Sequence, residues 1–188
     1  MNIQPDLRMD KTAFLSWIET QEERYELAAG RIMKLPRPTR AHAHIKSNLL
    51  MSLRGRLDRR QWEPLISFGL DIGPDTFRYP DFVVDRAGGN GKDFAATASA
   101  LLIEVLSPEG ADLDLGDKVA EYLPIPSLLA YIVLSRDEPK AWMWSRTSTS
   151  AQFAPGPKAI SGADAVIPVS GLQLELSMAD IYAGIEAD

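Results

Sequence analysis

Apolar positions first recur at helical spacing near the N-terminus. Ala13, Phe14, Trp17 and Ile18 follow Asp10 and Thr12, either of which suits an N-cap. RYELAAGRIMKL then alternates on both sides of a small-residue turn at Gly30, which predicts a β-hairpin closed by Pro36 and Pro38. In HAHIKSNLLMSL, Ile45, Leu49, Leu50 and Leu53 share one helical face, and Gly55 is the expected end of that helix. Three strands are expected next, at 62–70 (WEPLISFGL), 77–84 (FRYPDFVV) and 100–107 (ALLIEVLS). A Gly/Ala-rich loop separates the last two. DLGDKVAEYL predicts a helix stopped by Pro124 and Pro126. LLAYIVLS and AWMWSR predict strands, residues 147–165 a loop or irregular hairpin, LQLEL a short strand and MADIYAGI a short helix. Helix, hairpin, helix, three strands, helix, strands, helix is the order of one mixed α/β or α+β domain built on a central sheet and spanning residues 1–188.

Composition narrows the chemistry. The 188 residues contain no cysteine and two histidines, His42 and His44. Disulfides, thiolate metal sites, cysteine nucleophiles and multi-histidine metal sites are therefore excluded. The opening MNIQPDLRMDKT lacks a basic segment followed by an apolar one, and apolar runs such as LLAYIVL are too short to span a bilayer. A cytoplasmic protein without membrane association is expected.

Glu104 is the sharpest oddity. It lies inside LLIEVL, a continuous apolar run typical of a strand covered on both faces. An isolated carboxylate there costs several kcal/mol unless it is protonated, hydrogen-bonded, paired or bound to metal. Asp81 repeats the theme in YPDFVV. Either one alone is as readily an exposed or arginine-paired carboxylate. Two of them on neighbouring core strands could reach one point, which is how hard cations such as Mg²⁺ are held. On the following helix, Leu115, Val119, Tyr122 and Leu123 form the apolar face. Lys118 lies about 60° from Leu115 and about 40° from Tyr122 around the axis, so it borders that face. Such a lysine commonly snorkels to water, but here it could also fold back towards the carboxylates.

These residues carry a recognisable pattern. The chain resembles the Uma family of predicted endonucleases, a branch of the PD-(D/E)XK, restriction-endonuclease-like superfamily. The matching segments are YELAAGRI (25–32), PRPTRAHAHI (36–45), YPDFVV (79–84), LLIEVLSP (101–108), LGDKVAEY (115–122), AYIVL (130–134) and GLQLEL (171–176). They occur in the family's order over nearly the whole chain, and LLIEVLSP followed by LGDKVAEY is the most specific piece. The resemblance implies a restriction-endonuclease-like core: a central mixed β-sheet flanked by helices, with an N-terminal helix and β-hairpin. It makes Asp81 the PD aspartate and Glu104 the second acidic residue. The superfamily lysine two positions later is absent, since Leu106 stands there, and its role passes to Lys118. Glu26 matches the family's hairpin glutamate, and His42 its histidine. Two departures stand out: the hairpin turn is AAG where an Asp or Asn usually precedes the glycine, and EGADLD follows LLIEVLSP where arginines and hydroxyl residues are common.

The implied activity is metal-dependent endonucleolytic hydrolysis of DNA. Asp81 and Glu104 would hold Mg²⁺ or Mn²⁺, with the Val105 carbonyl completing the shell. Lys118 would be catalytic, orienting water or stabilising negative charge. Glu26 would be an extra ligand or a water-positioning group, although a hairpin glutamate is usually solvated. His42 would contact the substrate near the phosphate, although a histidine in that place is commonly a surface or capping residue.

The net charge of −6 conceals an asymmetry. Residues 31–60 hold nine basic side chains, Arg40 and Lys46 among them, against Asp58 alone. That segment is +8 and the remainder −14. A basic zone of this kind suits phosphate, so Arg40, Lys46 and His42 are the expected nucleic-acid contacts. A solvated charged face is the plainer reading, since helical spacing gathers these residues into no single stripe. Two rivals to the enzyme remain: a catalytically silent nuclease-fold module that binds nucleic acid or protein, and a structural homodimer using the Trp142 and Trp144 strand. Those tryptophans share one face of an alternating strand, which equally suits a core.

Overall fold

Residues 3–106 and 113–185 are described by the structure, a computed structural model. Strand β1 (Ile3–Arg8) and helix α1 (Lys11–Ile18) precede the hairpin β2 (Tyr25–Ala28) and β3 (Arg31–Lys34). Asp10 caps α1 by accepting from the Ala13 amide at 2.8 Å. The long helix α2 (Arg40–Arg56) follows, capped by Thr39, and then β4 (Trp62–Ile66), β5 (Leu70–Gly73), β6 (Thr76–Arg78), β7 (Phe82–Arg86) and β8 (Leu101–Val105). One wide helical turn, Leu113–Asp117, leads into α3 (Lys118–Tyr122). The chain continues through β9 (Ala130–Leu134), β10 (Lys140–Ser145), β11 (Lys158–Ser161), β12 (Val166–Val169), β13 (Leu174–Ser177) and α4 (Met178–Ile181).

Six strands form the central sheet in the order β11-β10-β9-β8-β7-β4. Only β8 and β9 run parallel in it, and the wide turn and α3 lie in the connection between them. A second, antiparallel sheet is ordered β1-β3-β2-β6-β5, and β12 pairs with β13 separately. The period-2 rule divides the central strands between two cores. Phe82, Val84, Leu101, Ile103 and Ile132 pack with Ile45, Leu49 and Leu53 of α2 and with Met178 and Ile181 of α4. Val83, Leu102, Tyr131 and Val133 pack with Tyr122 of α3. A third cluster, Phe14, Leu27, Ile32 and Phe77, fills the space between α1 and the smaller sheet.

The expected mixed α/β architecture is present, with several changes to its elements. Residues 77–84 are not one strand. Pro80 lacks the N–H a ladder needs, and the chain passes there from the smaller sheet (β6) to the central one (β7). Residues 62–70 divide likewise, β4 ending at Ile66 before Ser67 adopts a left-handed φ of 49°. Helix α2 runs past Gly55 and is capped at Leu57. The hairpin turn is as expected, with φ of 47° at Ala29 and 76° at Gly30. Gly69 meets a different need: an added Cβ would stand 2.1 Å from the Phe94 carbonyl oxygen, where loop residue Ala95 bridges to Gly69. Trp144 is buried and Trp142 packs partly against the same core, with β10 paired on both sides. These residues therefore serve the core rather than an exposed interface. The EGADLD departure lies largely outside the described residues. Among the described residues, no helix is long and apolar enough to cross a membrane.

Candidate active site

Strand register brings the two carboxylates together. β7 and β8 pair antiparallel through Phe82↔Ile103, Val83↔Leu102 and Val84↔Leu101. Asp81 stands just before β7, and Glu104 is the residue after Ile103 on β8. Glu104 follows the parity of Leu102 and faces the α3 side of the sheet, while Asp81, at the strand end, is met from α2. Backbone and side chains interlock there. The Asp81 amide donates to Glu104 Oε2 at 3.2 Å, and the Val105 amide donates to Asp81 Oδ2 at 2.9 Å.

Each carboxylate has its own cation. Lys118 Nζ donates to Glu104 Oε1 at 2.7 Å, and Tyr122, one helical turn on, donates its hydroxyl to the same oxygen at 3.3 Å. Glu104 and Lys118 are each only 4% exposed. Lys118 thus sits within the buried face that its helical angle only bordered. Tyr122 in turn meets Tyr131 edge-on at 5.1 Å, and Tyr131 stacks on Trp144 at 5.6 Å, so an aromatic wall stands beside Glu104.

Asp81 is served from α2. His42 and Lys46 are four residues apart and therefore on one helix face. Lys46 Nζ donates to Asp81 Oδ1 at 2.7 Å and to the Ser67 hydroxyl at 3.0 Å. His42 Nε2 lies 3.2 Å from the same carboxylate oxygen, which can only accept, so that nitrogen carries the proton. Burial alone would push the Asp81 carboxyl up. The His42 hydrogen bond and the Lys46 charge outweigh it and hold the group well below the usual carboxylate range.

Glu26 does not join this cluster. It is 1% exposed on β2, where Oε1 accepts from the Tyr79 amide at 2.8 Å and Oε2 accepts from Arg78 Nη1 at 3.2 Å. Among the described residues, no group of three His, Asp or Glu side chains could hold a metal ion. The arrangement therefore does not provide for Glu26 as an extra ligand. Arg40 is exposed on the first turn of α2. The basic segment is dispersed as its spacing implied: Lys34 and Arg37 pair with Glu23, and Arg56 pairs with Asp180. Arg78 was not legible as a site residue. It sits between two aromatics in FRYP, and its partners are 43 and 52 residues away.

The donor atoms available to a metal are the carboxylate oxygens of Asp81 and Glu104, with the carbonyl of neighbouring Val105. All are hard oxygens, a set that fits a small hard cation, which commonly takes one or two protein carboxylates and keeps several waters. Two neighbouring carboxylates, each with a lysine, thus stand at one end of the central mixed sheet of an α/β core. That core is of a nuclease-like fold. The model of the Uma2 family, described as "putative restriction endonuclease", matches residues 12–179, and the chain belongs to that family. A solved structure described as a "putative nuclease belonging to DUF820", from Anabaena variabilis ATCC 29413, is similar over 93% of this chain and 98% of its own, with a TM-score of 0.74 and 18% identity. At that identity the likeness establishes the shared fold. No curated protein matches.

Proposed function

We propose that the protein is a metal-dependent endonuclease that hydrolyses phosphodiester bonds in DNA. The observation that supports this most is the linked pair Asp81 and Glu104, joined by the Asp81 amide, with Lys118 Nζ 2.7 Å from Glu104. Mg²⁺ or Mn²⁺ held by the two carboxylates would supply Lewis acidity towards the phosphate and a water of lowered pKa. The chain's own groups do the rest. Asp81 stays ionised because His42 and Lys46 face it. Glu104 is fixed by the Asp81 amide and by Tyr122. Lys118 offers a buried positive charge to the oxygen on which negative charge develops, and such charge is worth more where water is excluded. Lys46 and His42, on the face of α2 nearest Asp81, and exposed Arg40, two residues before His42, contact the DNA phosphates. Glu26 acts by position, through its bond to the Tyr79 amide, and not as a ligand.

The test is supercoiled-plasmid cleavage with Mg²⁺ or Mn²⁺, comparing the unmodified protein with Glu104→Ala and Lys118→Ala, beside calorimetric titration of Mn²⁺. Metal-dependent nicking lost in both variants is expected. DNA binding without cleavage or metal uptake would replace the enzyme with a silent binding module.

A further inference from the structure

Arg78 is fully buried, and a guanidinium in that position demands explanation. It stands at the end of β6, where the register Leu27↔Phe77 continues to set it opposite Glu26 of β2. Its Nε and Nη2 donate to both oxygens of Glu121 at 2.8 and 2.6 Å, a forked arrangement that fixes both partners in one plane. Glu121 belongs to α3, three residues after Lys118 and next to Tyr122, the two side chains that hold Glu104 Oε1. On its other side Nη1 donates to Glu26, whose second oxygen accepts from Tyr79, two residues before Asp81. Burial would pull the Arg78 charge down, but Glu121 and Glu26 more than restore it.

A short helix of five residues has little stability of its own, so its angle is set by what it packs against and bonds to. The Arg78 fork ties that helix to the smaller sheet, while Glu26 ties the same arginine to the backbone approaching Asp81. We propose that Arg78, acting through Glu121 and Glu26, is the positioning residue that sets Lys118 and Asp81 relative to each other. The proposal rests on the nuclease reading for its consequence in catalysis, but the positioning itself is readable without cleavage.

The experiment compares Arg78→Lys, which keeps the charge and removes the fork, with Glu121→Gln, which weakens the fork at its less buried end. Asp180→Asn, which breaks a surface pair on the other side of the sheet, serves as a control. The first readout is the side-chain NMR resonance of Lys118, assigned by its loss in Lys118→Met. The second is Mn²⁺ affinity, and the third is plasmid cleavage resolved into kcat and KM. Both fork variants should shift the Lys118 resonance towards that of an exposed lysine. They should also lower kcat about tenfold with KM little changed, as expected for misplaced groups in a folded enzyme. The control should do neither. If Arg78→Lys fails to fold, Glu121→Gln decides alone. A folded Glu121→Gln with the Lys118 resonance and Mn²⁺ affinity of the unmodified protein overturns the proposal. An unmodified protein that neither binds Mn²⁺ nor cleaves overturns the nuclease reading, and the Lys118 resonance still decides the positioning.

Discussion

At Glu104 a single buried side chain carries the electrostatic cost of the candidate site. Its run of neighbours, Leu101 to Val105, is buried throughout, and a charge there is met by Lys118, Tyr122 and the Asp81 amide. Replacing one member of such a pair leaves the other charge without its counterpart. Lys118→Met should therefore lower unfolding free energy by roughly 3 kcal/mol or more. Adding Glu104→Gln should restore part of that loss, because no charge then remains to be compensated. Urea unfolding of the two singles and the double measures this. A Lys118→Met cost no larger than that of an exposed lysine would contradict it. The presence of a buried carboxylate was legible from LLIEVL alone. The identity of its partners was not, since a lysine at the angle of Lys118 more commonly snorkels to water, and its bond to Glu104 depends on how α3 docks.

The hairpin of β2 and β3 illustrates how an element can tolerate an ill-suited residue. Its two turn residues both take positive φ, which glycine adopts freely and alanine does not. Ala29 is held there by a bond from its amide to Thr76 Oγ1 at 3.1 Å, and the neighbouring Gly30 amide donates to the Asp75 carbonyl at 2.7 Å. Ala29→Gly keeps both bonds and removes the steric cost, so it should raise stability by about 0.5–1 kcal/mol. A rise in the urea midpoint checks this, with Ala29→Val moving it the other way. The turn was readable from AAG between alternating runs. The breaks at Pro80 and Ser67 were harder to read, because FRYPDFVV and WEPLISFGL are each apolar enough to pass as one strand. What separates them is which sheet each half joins, a choice made by pairing between distant segments.

Across the whole molecule, α4 is fastened to the central sheet by Tyr182, its C-terminal cap. Its hydroxyl donates to the Ser135 carbonyl at 2.5 Å, at the turn between β9 and β10. Burial pushes this phenol well above its ordinary 10, and the nearby carboxylates of Glu138 and Asp137 add to the rise. A group whose folded pKa is raised stabilises fully below its unfolded value and loses that contribution as pH climbs through the folded one. Stability should therefore fall above about pH 10. Tyr182→Phe should flatten that fall while costing about 1 kcal/mol at neutral pH through the lost hydrogen bond. Thermal melts between pH 7 and 11 test it; parallel curves for the two proteins would refute it.

Residue chemistry and short-range pattern determined a good deal by themselves. The absence of cysteine and the presence of only two histidines excluded thiolate and multi-histidine metal sites, and the run around Glu104 demanded a compensating partner. Alternation and helical spacing located most of the elements, because they depend only on which face of a local structure is apolar. Tertiary structure decided what depends on long-range register. It brought Asp81 beside Glu104 and turned Lys46 and His42 onto Asp81. It also withdrew Glu26 into a buried pair with Arg78. Charges far apart in sequence meet only when sheets pair and helices dock. No spacing along the chain encodes the meeting of Arg78 with partners 43 and 52 residues away.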